Sequence, residues 1–204
     1  FTTFSYSHDK DAMQDIIIQI DSINTSYQTK ANLSNINTFD VSVGFGIPAT
    51  KWLMVEGSAD VFHIRINSPL EGGILKNETF GVAANLSNTF VLPKGFKAEV
   101  SGWYQSKLIY GMLYLNERWS MNASLSKSFL KNRLKASFSI EDIFYTGSVD
   151  ARIDFNGMDV FIKTQQETRV AWLRLRYNFG KQFEKKQTGY QDAAEDIKRR
   201  AGGK

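Results

Sequence analysis

Apolar and polar residues alternate with a period of two along most of this chain. Successive side chains of a β-strand point to opposite faces, so such a row predicts a strand with one apolar and one polar face. Phe39, Val41, Val43, Phe45 and Ile47 share one face, and Asp40, Ser42, Gly44 and Gly46 the other. Leu53, Val55, Gly57, Ala59 and Val61 then oppose Trp52, Met54, Glu56, Ser58 and Asp60. The row Phe80, Val82, Ala84, Leu86 is interrupted by Asn88 before Phe90 and Leu92. Phe96, Ala98, Val100, Gly102 and Tyr104 follow, then Trp119, Met121, Ala123 and Leu125, then Leu134, Ala136, Phe138 and Ile140. The last row is Ala171, Leu173, Leu175, Tyr177 and Phe179, set against Trp172, Arg174, Arg176 and Asn178. With Phe1–Ser7 as a further strand, the pattern predicts about eight strands of membrane-crossing length.

The connections alternate in length. Pro48-Ala49-Thr50, Pro93-Lys94-Gly95 and Lys131-Asn132 have the chemistry of tight turns. The stretches Asp9–Asp11, Ser68–Asn77, Ser106–Gly111 and Thr146–Thr168 read as longer, polar loops. Short turns at one end and long loops at the other are the asymmetry of an outer-membrane barrel. The segment Asp15–Leu33 reads as an extra hairpin carried outside the membrane on a long loop.

The same alternation would suit a soluble antiparallel sandwich with its apolar rows packed inward. Three features favour a barrel. Gly57, Ala59, Ala84, Ala98, Gly102 and Ala123 dilute the apolar rows, which a close-packed core would resist and a lipid-facing surface tolerates. Aromatics gather near strand ends, with Trp52, Phe90, Phe96, Phe129, Tyr177 and Phe179 towards the short turns and Tyr104, Trp119, Phe144 and Tyr145 towards the long loops, as in interfacial girdles. The polar rows carry Glu56, Asp60, Lys97, Glu99, Arg133, Lys135, Glu141, Arg174 and Arg176, which suit a wet lumen. The mean hydropathy of −0.31 and the lack of a long apolar run exclude membrane-spanning helices, which need about 18 apolar residues, and leave a β-barrel open.

Charge and reactive residues narrow the function classes. The net charge of +4 is concentrated in the polar tail after Gly180, with seven basic and four acidic residues, and the body has no basic stripe for nucleic acid. There is no cysteine, hence no disulfide framework or thiolate metal site. His8 and His63 lack metal-ligand spacing, and His63 reads as an interfacial residue. Asp9, Asp11 and Asp15 cluster without the glycine and final glutamate of a calcium loop. Glu141 and Asp142, adjacent on a strand, are expected to face opposite sides and not to share a substrate. No nucleophile elbow or phosphate loop is present. The expectation is a non-enzyme without cofactor or metal, its ligand-binding residues not marked by any motif.

The stretch from Ala123 to Gly180 resembles the C-terminal end of the Bacteroidetes outer-membrane β-barrel family, which is similar to TonB-dependent receptors. The resemblance rests on Ser128-Phe129-Leu130, the Lys131-Asn132 turn, Glu141-Asp142-Ile143-Phe144 and the closing Tyr177-Asn178-Phe179-Gly180-Lys181. Leu92-Pro93-Lys94-Gly95-Phe96 and Phe4-Ser5-Tyr6-Ser7 fit the same pattern. It implies an all-β, antiparallel up-and-down transmembrane barrel, with residues 1–180 as the C-terminal portion of the barrel and 181–204 as a polar periplasmic tail. It implies ligand uptake and transport across the bacterial outer membrane, this segment supplying wall and outer loops. The expected partners are outer-membrane lipid, the barrel assembly machinery, and an N-terminal plug and further strands outside this chain, with TonB acting through the plug. Leu173, Leu175, Tyr177 and Phe179 resemble the aromatic-ended signal read by the assembly machinery, although Phe179 is not the last residue. The alternatives are a complete small barrel serving as anchor or adhesin, and a soluble sugar-binding sandwich.

Overall fold

The computed structural model of the protein describes residues 1–20, 25–164 and 166–179. The tail from 181 to 204 lies outside the described residues. Fourteen strands follow in order: β1 (Thr2–Asp9), β2 (Ala12–Ile20), β3 (Thr25–Leu33), β4 (Ile36–Pro48), β5 (Leu53–Leu70), β6 (Gly73–Val91), β7 (Phe96–Gln105), β8 (Leu108–Tyr110), β9 (Leu113–Leu115), β10 (Arg118–Phe129), β11 (Leu134–Glu141), β12 (Val149–Phe155), β13 (Met158–Thr164) and β14 (Val170–Tyr177). Eight of them form one antiparallel sheet in the order β1-β4-β5-β6-β7-β10-β11-β14, with β1 and β14 as its edges. The others form a four-stranded sheet, β13-β12-β9-β8, and the hairpin β2-β3.

The register of the large sheet gathers every apolar row of the sequence onto one face. Phe90, Ala98, Leu125, Phe138 and Leu173 stand side by side on consecutive strands. Tyr6, Phe39, His63 and Phe80 do the same nearer the long connections. Among the described residues nothing covers this face: Phe4 is 71% exposed, Phe80 70% and Leu173 76%. A sandwich would have buried those rows, so that reading is set aside. Along β4 the band from Phe39 to Ile47 covers about nine residues, the length of a tilted membrane-crossing strand.

The long hairpin β5–β6 shows where the band stops. Up to Val61 the odd-numbered positions of β5 are apolar. Beyond it the phase inverts: Phe62, Ile64, Ile66 and Leu70 are apolar, while His63, Arg65 and Asn67 are polar. β6 inverts in register, with Leu75 opposite Ser68 and Asn77 opposite Ile66 on the newly apolar side. One face thus passes from apolar to charged along the same two strands, as expected where a strand leaves lipid for water.

Above this boundary lies the core. Ile16, Leu33, Ile66, Leu75, Ile109, Met112, Ile153 and Met158 are buried against one another. They come from β2, β3, β5, β6, β8, the β8–β9 turn, β12 and β13, so the connections are bound into one cap. Burial of each such side chain contributes about 1.5–3 kcal/mol. Three of the predicted loops are therefore corrected. Ser68–Asn77 is a continuation of β5 and β6 around a tight turn at Glu71-Gly72, Ser106–Gly111 contains β8, and Thr146–Thr168 contains β12 and β13. β8 has only Leu108 and Ile109 to mark it, but β12 alternates Val149, Ala151, Ile153 and Phe155 with Asp150, Arg152 and Asp154, a period-two row as regular as those of the large sheet. The extra hairpin is present as β2–β3 and starts at Ala12, earlier than the sequence indicates.

The turns keep their predicted places. Leu130, Lys131 and Asn132 all have positive φ, and Pro93–Gly95 forms a single 3-10 turn. Trp52, read as part of the polar row, instead precedes β5 and stacks on Phe90 of the apolar face with ring centroids 6.2 Å apart.

Candidate functional site

The polar face of the large sheet and the connections that flank β12 and β13 border an open cavity of about 550 Å³. Its floor is supplied by Glu99, Ser101 and Trp103 of β7 and Ser120, Asn122 and Ser124 of β10, with Ser139 and Glu141 of β11 beside them. Small serines leave the space open, and the carboxylates make it acidic.

Asp142 sits at its upper edge and is only 3% exposed. Its backbone has φ of 45°, which breaks the strand alternation after Glu141. Glu141 and Asp142 both line the cavity, contrary to the sequence expectation that they face apart, because β11 ends at Glu141 and Asp142 leaves the strand conformation. The Asp142 amide donates to Asn122 Oδ1 at 2.8 Å. Its carboxylate accepts the Thr146 amide at 3.0 Å, the Gly147 amide at 2.9 Å and the Thr146 hydroxyl at 3.4 Å. The Thr168 hydroxyl, buried alongside and without another partner, leans toward the same group. Burial pushes this carboxyl up, but the Thr168 hydroxyl, the Thr146 and Gly147 amides and the Ser120 hydroxyl outweigh it, and its pKa lies below the ordinary aspartate value. Asp142 thereby fixes the start of the segment that carries β12 and β13. Nearby, Tyr145 Oη donates to the Gln166 carbonyl at 3.1 Å and the Arg169 guanidinium lies over its ring. Tyr145 therefore pins this connection instead of joining the aromatic girdle.

A second buried polar group ties the cap to the sheet. Asn77, 3% exposed, donates through Nδ2 to the Gly111 carbonyl at 3.0 Å and accepts from Tyr114 Oη at 2.6 Å. Asn77→Ala leaves that carbonyl and hydroxyl unpaired in the core, at a cost of about 1–3 kcal/mol. Faster amide exchange confined to β8 and β9 is the expected result, and unchanged protection there would count against the clamp. Sequence reasoning missed Asn77 because nothing local distinguishes it from a solvated asparagine.

The girdles are partly as predicted. Trp119 and Phe144 meet at 5.5 Å, Tyr177 and Phe179 at 4.6 Å, and Lys127 Nζ lies 4.3 Å from the Phe96 ring centroid and 5.2 Å from that of Phe129. Just above the apolar band, His63 Nε2 and Arg65 Nε contact Glu78 at 2.8 and 3.2 Å. The hydrogen bond from His63, followed by the pull of Arg65, holds the Glu78 carboxyl below its ordinary pKa. His8 contacts Asn37 at 2.7 Å and Asp15 pairs with Lys30 at 3.5 Å. Among the described residues no group of three or more His, Asp or Glu side chains could hold a metal ion. Leu173, Leu175 and Tyr177 project from the apolar side of β14, and Phe179 lies just beyond the strand, 88% exposed.

Comparison with known proteins agrees with this geometry. No curated protein and no solved structure matches the chain. The family model of the outer membrane protein beta-barrel family matches residues 1–177, which takes in every strand described above. The chain thus belongs to the outer membrane protein β-barrel family.

Proposed function

We propose that this chain is the C-terminal wall of a TonB-dependent-receptor-like protein that takes up a ligand across the bacterial outer membrane, with no enzymatic role. The observation that carries the reading is a folded cap built from the long connections, together with an open, polar cavity on the face of the large sheet opposite the apolar band. An anchor needs only the wall. In this reading the cap faces the exterior, the short turns and the tail face the periplasm, and the apolar band meets outer-membrane lipid. Further strands pair with the free edges of β1 and β14, since an unpaired edge in a membrane leaves backbone groups without partners. An N-terminal plug fills the lumen and engages TonB. Leu173, Leu175, Tyr177 and Phe179 form the strand read by the assembly machinery, by pairing of edges.

The chain has no cysteine, so single cysteines report its orientation. Lys163→Cys, exposed on β13, is expected to react with a membrane-impermeant maleimide on intact cells, and Lys94→Cys only after permeabilisation. The reverse pattern would overturn the orientation. Energy-coupled uptake requires that loss of TonB and loss of this protein give the same growth defect on the same nutrient; a defect from one deletion alone refutes it. The second reading, a complete small anchor, requires β1 paired to β14, whereas the two stand at opposite edges.

A further inference from the structure

Three hairpin segments from distant parts of the chain converge on a cleft of about 320 Å³ in the cap. One wall is β2 at Ile16 to Ile18, the second is the β5–β6 tip at Leu70, Glu71 and Gly72, and the third is the β12–β13 tip from Phe155 to Met158. The volume lies at the lower end of the range of small-molecule sites, about 300–1,000 Å³.

The floor is rigid. Ile16 (6% exposed), Met112 (2%) and Met158 (6%) belong to the buried core of the cap. The tips approach closely: Gly72 has φ of +92°, and a Cβ there would meet the Asn156 side chain. The cleft is therefore formed by packing and does not depend on a loop closing over it. Its mouth carries one charged side chain among the described residues, Glu71, which takes part in none of the four ion pairs of the structure. A free carboxylate and an aromatic ring in Phe155, above a floor of Ile16 and two thioethers, are the groups that recognise a cation joined to an apolar body.

We propose that this cleft is a binding site for a small primary ammonium ligand with an apolar body, its charge held by Glu71 and its body seated on Met112 and Met158. The inference rests on the uptake reading only for the outward placement of the cap.

The test uses the full-length protein in lipid nanodiscs, with 13C-methyl methionine and three matched probes: 2-phenylethylamine, 2-phenylethanol and 3-phenylpropanoate. The Met112 and Met158 methyl signals are expected to shift saturably with the amine at concentrations at least tenfold below those needed for the acid, with the alcohol between. Glu71→Gln, an exposed turn substitution, is expected to lower the amine to the level of the alcohol while leaving the alcohol unchanged. Silence at both methionines with all three probes, equal response to amine and acid, or an undiminished amine preference in Glu71→Gln would each overturn the proposal. Binding is read on the purified protein. An amine that binds but is not taken up by cells therefore counts against the uptake reading and leaves the cleft standing.

Discussion

Arginine at position 125 is expected to destabilise the protein by about 2 kcal/mol, the lower end of the cost of such a residue on the lipid face of a barrel. The lower end applies because position 125 lies inside the apolar band but nearer its short-turn edge than its middle. Arginine at position 124 is expected to cost roughly 0.5 kcal/mol or less, as a surface change away from buried features. The two positions are neighbours on β10, and the contrast follows from strand geometry alone. Leu125 stands between Ala98 and Phe138 on the apolar face. Ser124 points the other way, opposite Glu99, where a cation gains a cross-strand partner. The same strand shows how far this face tolerates charge: Lys127 shares it, but lies where the band ends, with its ammonium against Phe96 and Phe129. A lysine there reaches the headgroup region along its stem, whereas an arginine two residues deeper has farther to go. Urea unfolding in lipid vesicles measures both variants, and outer-membrane abundance follows the same order. If Leu125→Arg were harmless and Ser124→Arg destabilising, the assignment of faces would be inverted.

The wall was legible in the sequence because its strands carry period-two rows, broken only at single positions such as Asn88, and a one-residue slip of register would move a whole row to the wrong face. The cap was so only in part, and the reasons differ by segment. At Val61-Phe62 the alternation continues but changes phase, so a reading that follows one row stops there, although Phe62, Ile64 and Ile66 form a new row at once. In the β12–β13 hairpin the turn Asn156-Gly157, with positive φ at both residues, is a strong local hairpin signal between Phe155 and Met158. The rows on either side agree with it, Val149, Ala151, Ile153 and Phe155 before the turn and Met158, Val160 and Ile162 after it, so this hairpin was open to the same period-two reading as the wall. The cleft at Glu71 could not be found locally at all, since its walls come from three hairpins that only the packed core brings together. For the buried polar anchors the sequence held half the information. Asp142 stands four and five residues before Thr146 and Gly147, a spacing that fits a carboxylate capping its own loop, but its shared cavity with Glu141 depends on a positive φ that no residue type announces.

Asp142→Ala is the second substitution with a large expected effect, and its consequences are local where those of Leu125→Arg are global. It removes the acceptor for the Thr146 and Gly147 amides, both drawn to a carboxylate that is almost wholly buried. Hydrogen bonds to a charged group contribute about 1.5–3 kcal/mol each, and because the adjoining cavity is open, the lower part of that range applies. A loss of roughly 3 kcal/mol follows for the closed state of the segment from Thr146 to Thr168. The membrane strands do not depend on these bonds, so heat-resistant folding of the wall should persist while the β12–β13 hairpin becomes open to protease and exchanges its amides faster. Acid should do the same to the unmodified protein. The folded-state pKa of Asp142 is depressed, so its contribution is complete above the unfolded value and is lost as pH falls through that value towards the folded one. Protease sensitivity of the hairpin is therefore expected to rise below about pH 4 in the parent protein. Asp142→Ala should be sensitive at every pH. Asp142→Asn, with one carbonyl oxygen and no charge, should lose the pH dependence while retaining part of the closure. An acid response that survives in Asp142→Asn would place the titrating group elsewhere, with Glu141 and Glu167 of the same cavity the first to be replaced.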